Sequence, residues 1–341
     1  MAAFSCFPVA SAAPTRAAGR SVGPVNLTHR TRAPSVRVMS AAEQRTSPQP
    51  GAAASTLDLP AYSEPVAALA AANPAYAAVL ATQQAVLSLV TDALKLEAVC
   101  SSVTGPCGAF SAASADGSSG AAIGAARGGA VHCLSASALA NRAAGFGTSR
   151  LLGFVEGDRD VPHFALEHVL AGDRLQGIIT LWPRQNWVTD LEYTHKYFAT
   201  GEPLHVMSST APAEGGPRSY NDVMNGVMGT AEKRAGWRHY TSPVAEVKPL
   251  LASSISYTFP AQQDDLDAFR AAALEVAQLW VSFLQAQPTP AKDAAQRTAL
   301  DARYFSAITS DPANGIAVRM FGEDATDKLL KMATGHPAVS T

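Results

Sequence analysis

Three apolar runs in close succession constrain this chain most. Leu151–Val155, His163–Leu170 and Leu175–Trp182 each have strand length, and the gaps between them are short and carry Gly157, Asp158, Gly172 and Asp173. A parallel crossover needs a dozen or more residues, so gaps this short force neighbouring strands to pair antiparallel. Leu250–Phe259 adds a further predicted strand with Leu251, Ser253, Ile255, Tyr257 and Phe259 on one face. Helical periodicity takes over elsewhere. Tyr76, Val79, Leu80, Val86, Leu87, Val90 and Leu94 recur at three- and four-residue spacing behind Pro74, and Thr189–Ala199 reads as a helix capped by Thr189 or Asp190. Asp264–Ala286, Lys292–Ile308 and Ala325–Met332 read as helices too, the first with Leu266, Phe269, Val276, Trp280, Phe283 and Leu284 on its stripe. Strands first and helices last, without strict alternation, predict an α+β domain in which helices cover an antiparallel sheet. Residues 101–129, rich in Gly, Ser and Ala, fit either a loop or weak strands, and residues 201–240 give no clear period.

The N-terminus is a different polymer. Residues 1–42 hold five Arg, eight Ser or Thr, no Lys and no acid; the first acid is Glu43. Pro8, Pro14 and Arg16 break the apolar core that a secretory signal needs, so this composition predicts an organelle transit peptide over about 1–40. A disordered lead-in over 41–60 and a single domain over 61–335 follow. The whole chain has a formal charge of −2; beyond residue 42 it carries 21 basic against 28 acidic side chains, a net of −7. Such a balance argues against a nucleic-acid binder held by a basic field. Gly, Ser, Thr, Pro or a charge interrupts every apolar stretch before membrane-spanning length, so no membrane span is expected.

The familiar chemical motifs are missing. There is no glycine fingerprint for a dinucleotide, no phosphate loop and no nucleophile elbow. His163-Phe-Ala-Leu-Glu167-His168 has the wrong spacing for a zinc helix; on a strand, His163 and Glu167 stand about 13 Å apart and cannot share a metal. Cys100, Cys107 and Cys133 show no zinc spacing either. Two acids stand out instead. Glu167 shares a strand face with His163, Ala165 and Val169, where it is either a desolvated carboxylate with a raised pKa or a solvent-facing residue of a one-sided sheet. Asp311 opens Asp311-Pro-Ala-Asn-Gly, which runs into Arg319-Met-Phe-Gly-Glu-Asp and reads as a capped helix-to-helix connector.

Those residues also carry a resemblance. Arg319-Met-Phe-Gly-Glu-Asp resembles the terminal motif of the red chlorophyll catabolite reductase family. Ile179-Thr-Leu-Trp-Pro-Arg184, followed by Asp190-Leu-Glu-Tyr-Thr-His-Lys-Tyr-Phe198, resembles the family's strand, turn and helix, with Val131-His132-Cys133 and the His163 segment in the same order. The similarity spans roughly residues 65–335 and is patchy over 101–129 and 201–245. It implies a three-layer α/β/α sandwich with a central antiparallel sheet, similar to the ferredoxin-dependent bilin reductases. It also implies reduction of an open-chain tetrapyrrole, red chlorophyll catabolite, to the primary fluorescent catabolite. Electrons would come from reduced ferredoxin with no cofactor bound to the chain, in the chloroplast stroma, and the family's dimers suggest a homodimer. By the same resemblance Glu167 and Asp311 are the proton-handling acids, although Pro312 and Asn314 stand where the family tends to carry further acids. His163, His132 and Arg319 are candidate contacts to the pigment. Alternatives are a phytobilin synthase acting on biliverdin and a tetrapyrrole-binding protein without catalysis. An acidic ferredoxin meeting a chain of −7 needs a local basic patch, for which Lys233, Arg234, Arg238 and Lys248 are the densest cluster.

Overall fold

Two residues suffice to turn the chain between its central strands. Gly172 and Asp173 join β6 (His163–Ala171) to β7 (Arg174–Trp182), with Ala171 opposite Arg174. Gly172 takes φ +60°, which the favoured two-residue hairpin turn requires and a side chain would resist. The computed structural model describes residues 63–99, 109–199, 219–242, 244, 247–286, 290–312 and 314–335. The expected transit peptide and lead-in, Cys100 and Cys107 lie outside them.

Among the described residues one antiparallel sheet holds nine strands. The rest are β1 (Glu97–Ala98), β2 (Ala109–Ala113), β3 (Ser119–Gly128), β4 (Val131–Asn141), β5 (Phe146–Val155), β8 (Arg238–His239) and β9 (Ile255–Pro260). Their spatial order is β1-β3-β4-β5-β6-β7-β9-β8, with β2 also on β3. The ambiguous stretch 101–129 therefore contains strands at 109–113 and 119–128. The predicted strand from Leu250 begins only at Ile255, because Lys248–Leu251 closes into a 3-10 turn.

Helices cover both faces, which makes the chain an α+β, α/β/α sandwich. One layer holds α1 (Glu64–Ala72), α2 (Pro74–Leu94), α4 (Tyr220–Lys233) and α5 (Gln263–Gln285); α3 (Leu191–Tyr197) adds Tyr193 and Tyr197 at one end. The other layer holds α6 (Ala294–Thr309), α7 (Asn314–Phe321) and α8 (Glu323–Thr334). Helix α2 is long and apolar enough to cross a membrane by length and composition, and its Tyr76, Val79, Val86 and Val90 are buried in the core.

Specific contacts key the first layer to the sheet. The Tyr76 hydroxyl donates to the carbonyls of Leu139 and Thr148, and Gln83 Nε2 donates to those of Ser137 and Arg150 at 2.9 and 2.7 Å. Phe269 of α5 lies on Gly177, where an added Cβ would stand 2.5 Å from its Cζ. Gly177→Ala is expected to destabilise the protein by about 1–3 kcal/mol in urea unfolding, the cost of overpacking a close-packed core; a loss below about 0.5 kcal/mol would mean that α5 is not seated this closely.

Beside that contact, His168 is buried against α5, edge-on to Phe269 at 5.6 Å between ring centroids. Its Nδ1 has no hydrogen-bond partner among the described residues. Burial pushes its pKa down to about 4, with Glu167 pulling weakly the other way. A histidine depressed on folding favours the neutral form. Its contribution is complete above the unfolded value near 6.5 and is lost as pH falls toward 4, amounting to about 3 kcal/mol. Urea midpoints between pH 7 and 4 should fall less steeply for His168→Phe than for the natural sequence; parallel curves would count against this assignment.

Candidate functional site

Strand alternation sorts the polar residues. On β6, Phe164, Leu166, His168 and Leu170 face α2 and α5, whereas His163, Ala165, Glu167 and Val169 face the layer of α6, α7 and α8. Register then places Arg150 of β5 on one side of Glu167 and Ile178 of β7 on the other.

Glu167 is buried, which rules out the solvent-facing alternative; its side chain is 5% exposed and its Oε2 lies 3.5 Å from Arg150 Nε. Burial, the largest influence, works to raise its pKa. The Arg150 guanidinium beside it works the other way and favours the ionised form.

Asp311 is also buried, on the turn between α6 and α7 and hence in the helical layer that Glu167 faces. Its carbonyl accepts from the Asn314 N–H at 2.9 Å and starts α7, a helix where the sequence suggested only a connector. Between β3–β5 and α7–α8 lies a narrow cleft of about 70 Å³, lined by Ala121, Ser137, Arg150, Asn314, Ala317 and Leu330 among others. That is far below the roughly 300–1,000 Å³ of sites that enclose large ligands. As it stands the cleft is too small to enclose a ligand of that size.

His163 belongs to a different construction. The Val155 N–H donates to its Nδ1 at 3.0 Å, so the neutral ring carries its proton on Nε2, which meets Asp301 Oδ1 at 3.0 Å. Burial pushes its pKa down to about 4, opposed by Asp301 and aided by Arg184. Arg184, itself 2% exposed, grips both oxygens of Asp301 at 3.0 and 2.7 Å and donates to the carbonyls of Arg159 and Gly157 at 2.6 and 3.0 Å. Burial resists charge on Asp301, but the bonds from His163 and Arg184 overcome it and hold the carboxyl far below its usual range. Trp182 stacks on Tyr304 at 5.2 Å and Phe154 lies 4.8 Å from Phe305, closing this end of the sandwich. With both ring nitrogens engaged, His163 is an anchor between β6 and α6 and has no free nitrogen for a pigment.

The remaining candidates lie apart from Glu167. His132 sits in a β-bulge of β4, exposed, 3.3 Å from Glu156, and lines a polar groove at the sheet edge with Lys95 and Arg127. Arg319 is exposed on α7, does not line the cleft, and has no ion pair to Glu323 among the described residues, since Gly322 breaks the helix between them. Of the basic cluster, Arg234 is committed to Asp265 at 2.8 Å, whereas Lys233, Arg238 and Lys248 are exposed.

Arg150, which lines the cleft and contacts Glu167, is the side chain of this site that the sequence alone does not single out. Its signal is a cation preceding Leu151-Leu152 inside a strand, which acquires meaning only once register sets it opposite Glu167. No protein-family model and no curated protein matches the chain. A solved structure does: that of selenomethionine phytochromobilin synthase from tomato in complex with biliverdin, with a TM-score of 0.53 and 15% identity over 73% of this chain and 82% of that one. At that identity the likeness establishes a common fold, and the antiparallel sheet between two helical layers is the architecture the two proteins share.

Proposed function

We propose that the protein reduces a linear tetrapyrrole with electrons delivered singly by ferredoxin, and that red chlorophyll catabolite is the substrate. One observation carries the reading: a buried carboxylate, Glu167, paired with Arg150 on the sheet face opposite α7 and α8, in a fold shared with a protein crystallised with biliverdin. An extended conjugated pigment can itself take an electron, so the protein's task is to hold it and to manage protons. Each electron that reaches the pigment is balanced by one proton, and two of each complete the reduction of a double bond. Glu167 sits where a proton can be handed to a ring nitrogen or carbon lying on the sheet. Asp311, from the opposite layer, supplies the second acid, and Arg150 stands beside the first. The acid-free leader fits delivery to the chloroplast stroma. Lys233, Arg238 and Lys248 offer exposed positive charge to an acidic donor, and a homodimer accords with the same reading.

The test is an anaerobic assay with red chlorophyll catabolite, ferredoxin and its reductase, read as appearance of the fluorescent product. Absence of product from enzyme that binds the pigment would overturn the proposal. The neighbour's biliverdin gives a second reading specific support: consumption of biliverdin in place of the red catabolite would make the protein a phytobilin synthase. Binding of either pigment without turnover would make it a carrier.

A further inference from the structure

The sheet builds a polar margin around Ile178. Register sets Ile178 of β7 between Glu167 of β6 and Ser256 of β9, and Gln176 precedes Ile178 by two positions on the same face. Neighbouring strands stand about 4.8 Å apart and alternate residues of one strand about 7 Å apart. Glu167, Gln176 and Ser256 therefore rise around Ile178 on a footprint comparable to one five-membered ring with its substituents. The floor between them is apolar, Ile178 packing with Tyr240 and Val247. Gln176 is 1% exposed and Ser256 is fully buried, and neither Gln176 Nε2 nor the Ser256 hydroxyl oxygen has a hydrogen-bond partner among the described residues. The main chain does not draw on these side chains: the strand ladder runs through both residues, and the Tyr240 N–H donates to the Ser256 carbonyl at 2.9 Å. A buried polar group left unpaired costs stability that an apolar side chain would not. Two of them beside one buried acid mark a place where a ligand supplies the partners.

The chemistry of the pair limits what that ligand presents. A primary amide offers N–H and C=O side by side, a hydroxyl both donates and accepts, and neither carries charge. A carboxylate arm would bring a charge that neither group can neutralise. The complement is a neutral edge with its own N–H beside a C=O, which is the cis-lactam of a terminal ring of a linear tetrapyrrole. We propose that Gln176 and Ser256 hold such a terminal lactam ring: the Gln176 amide pairs with the lactam N–H and C=O, the Ser256 hydroxyl donates to the same carbonyl, and the ring lies on Ile178 with another edge toward Glu167. This rests on the tetrapyrrole reading above and adds the part of the pigment that the strands recognise. No bond forms or breaks at either residue. Their work is to fix the ring against which Glu167 acts.

Titration of the full-length protein, Gln176→Leu and Ser256→Ala with biliverdin and with red chlorophyll catabolite, read by the pigment's visible absorption, tests this alongside urea unfolding of the pigment-free proteins. Each substitution should weaken binding of whichever pigment the natural protein takes by about ten-fold, because the lactam then loses a hydrogen bond in a buried place. Urea midpoints should hold or rise, since an apolar side chain replaces a polar one that has no partner to lose. A purely structural role would give the opposite pattern, a fall in stability with pigment affinity kept by the folded protein. Natural affinity retained in either folded variant would overturn the joint assignment while leaving the tetrapyrrole reading intact. Failure of both pigments to bind the natural protein would overturn that reading and this inference with it. The two substitutions lie on different strands, so one decides if the other prevents folding.

Discussion

Arg184→Ala is expected to lower folding stability by about 3–5 kcal/mol, the range for removing one partner of a buried ion pair. The size follows from what the guanidinium does. It fills both oxygens of Asp301 and two loop carbonyls, those of Gly157 and Arg159, so its loss strands a carboxylate and frees two acceptors at once. His163 then faces Asp301 alone, and the β5–β6 loop loses its tie to the turn after β7. Lysine should not rescue, because an ammonium cannot reproduce the fork that spans two oxygens and two carbonyls. Asp301→Asn should also destabilise, and the double substitution should cost less than the two singles combined, since they share one interaction. Urea unfolding of the four proteins measures this cycle. Single losses below about 1 kcal/mol, or strict additivity, would show that the network is ornamental.

Glu167→Gln is expected to reduce turnover by about 10²–10⁴-fold, the range for removing a positioned proton donor, with pigment affinity unchanged or higher. Glutamine keeps the shape and the polar contact to Arg150 but cannot cycle a proton. Single-turnover reduction under excess reduced ferredoxin, alongside a binding titration, separates the two effects. Weakened binding with an unchanged rate would remove Glu167 from proton handling and leave it a binding residue.

These residues differ in how far the sequence exposes them. Glu167 was visible as an acid among Ala165 and Val169, and its face followed from the period of the strand and the Gly172-Asp173 turn. Strand β4 was not visible. Its Ser135, Ala136, Ser137 and Ala138 are small on both faces, so no contrast marks the alternation although nearly every position is buried. Helix α7 begins on Asn-Gly and spans eight residues, which reads locally as a turn; packing of Ala317 and Phe321 makes it a helix. The role of Arg150 is a property of cross-strand register, and that of Asp301 of two elements more than a hundred residues apart, neither of which local pattern encodes.

The unequal attachment of the two helical layers divides the molecule mechanically. Helix α2 is stitched to strand carbonyls by Tyr76 and Gln83 and α5 is seated on Gly177, whereas α7 and the start of α8 flank a cleft and α8 is tied to β4 at its C-terminal end, where the Ser135 hydroxyl donates to the Ala333 carbonyl at 2.8 Å. Compliance is therefore directional. Backbone amides of β4, β5 and β6 should exchange with solvent deuterium only through global opening, while those of α7 exchange through local opening at lower free energy. A ligand that wedges the outer helices apart leaves the backbone positions of Arg150 and Glu167 fixed by the strand ladder. The sheet serves as a rigid gauge, and only its cover needs to deform.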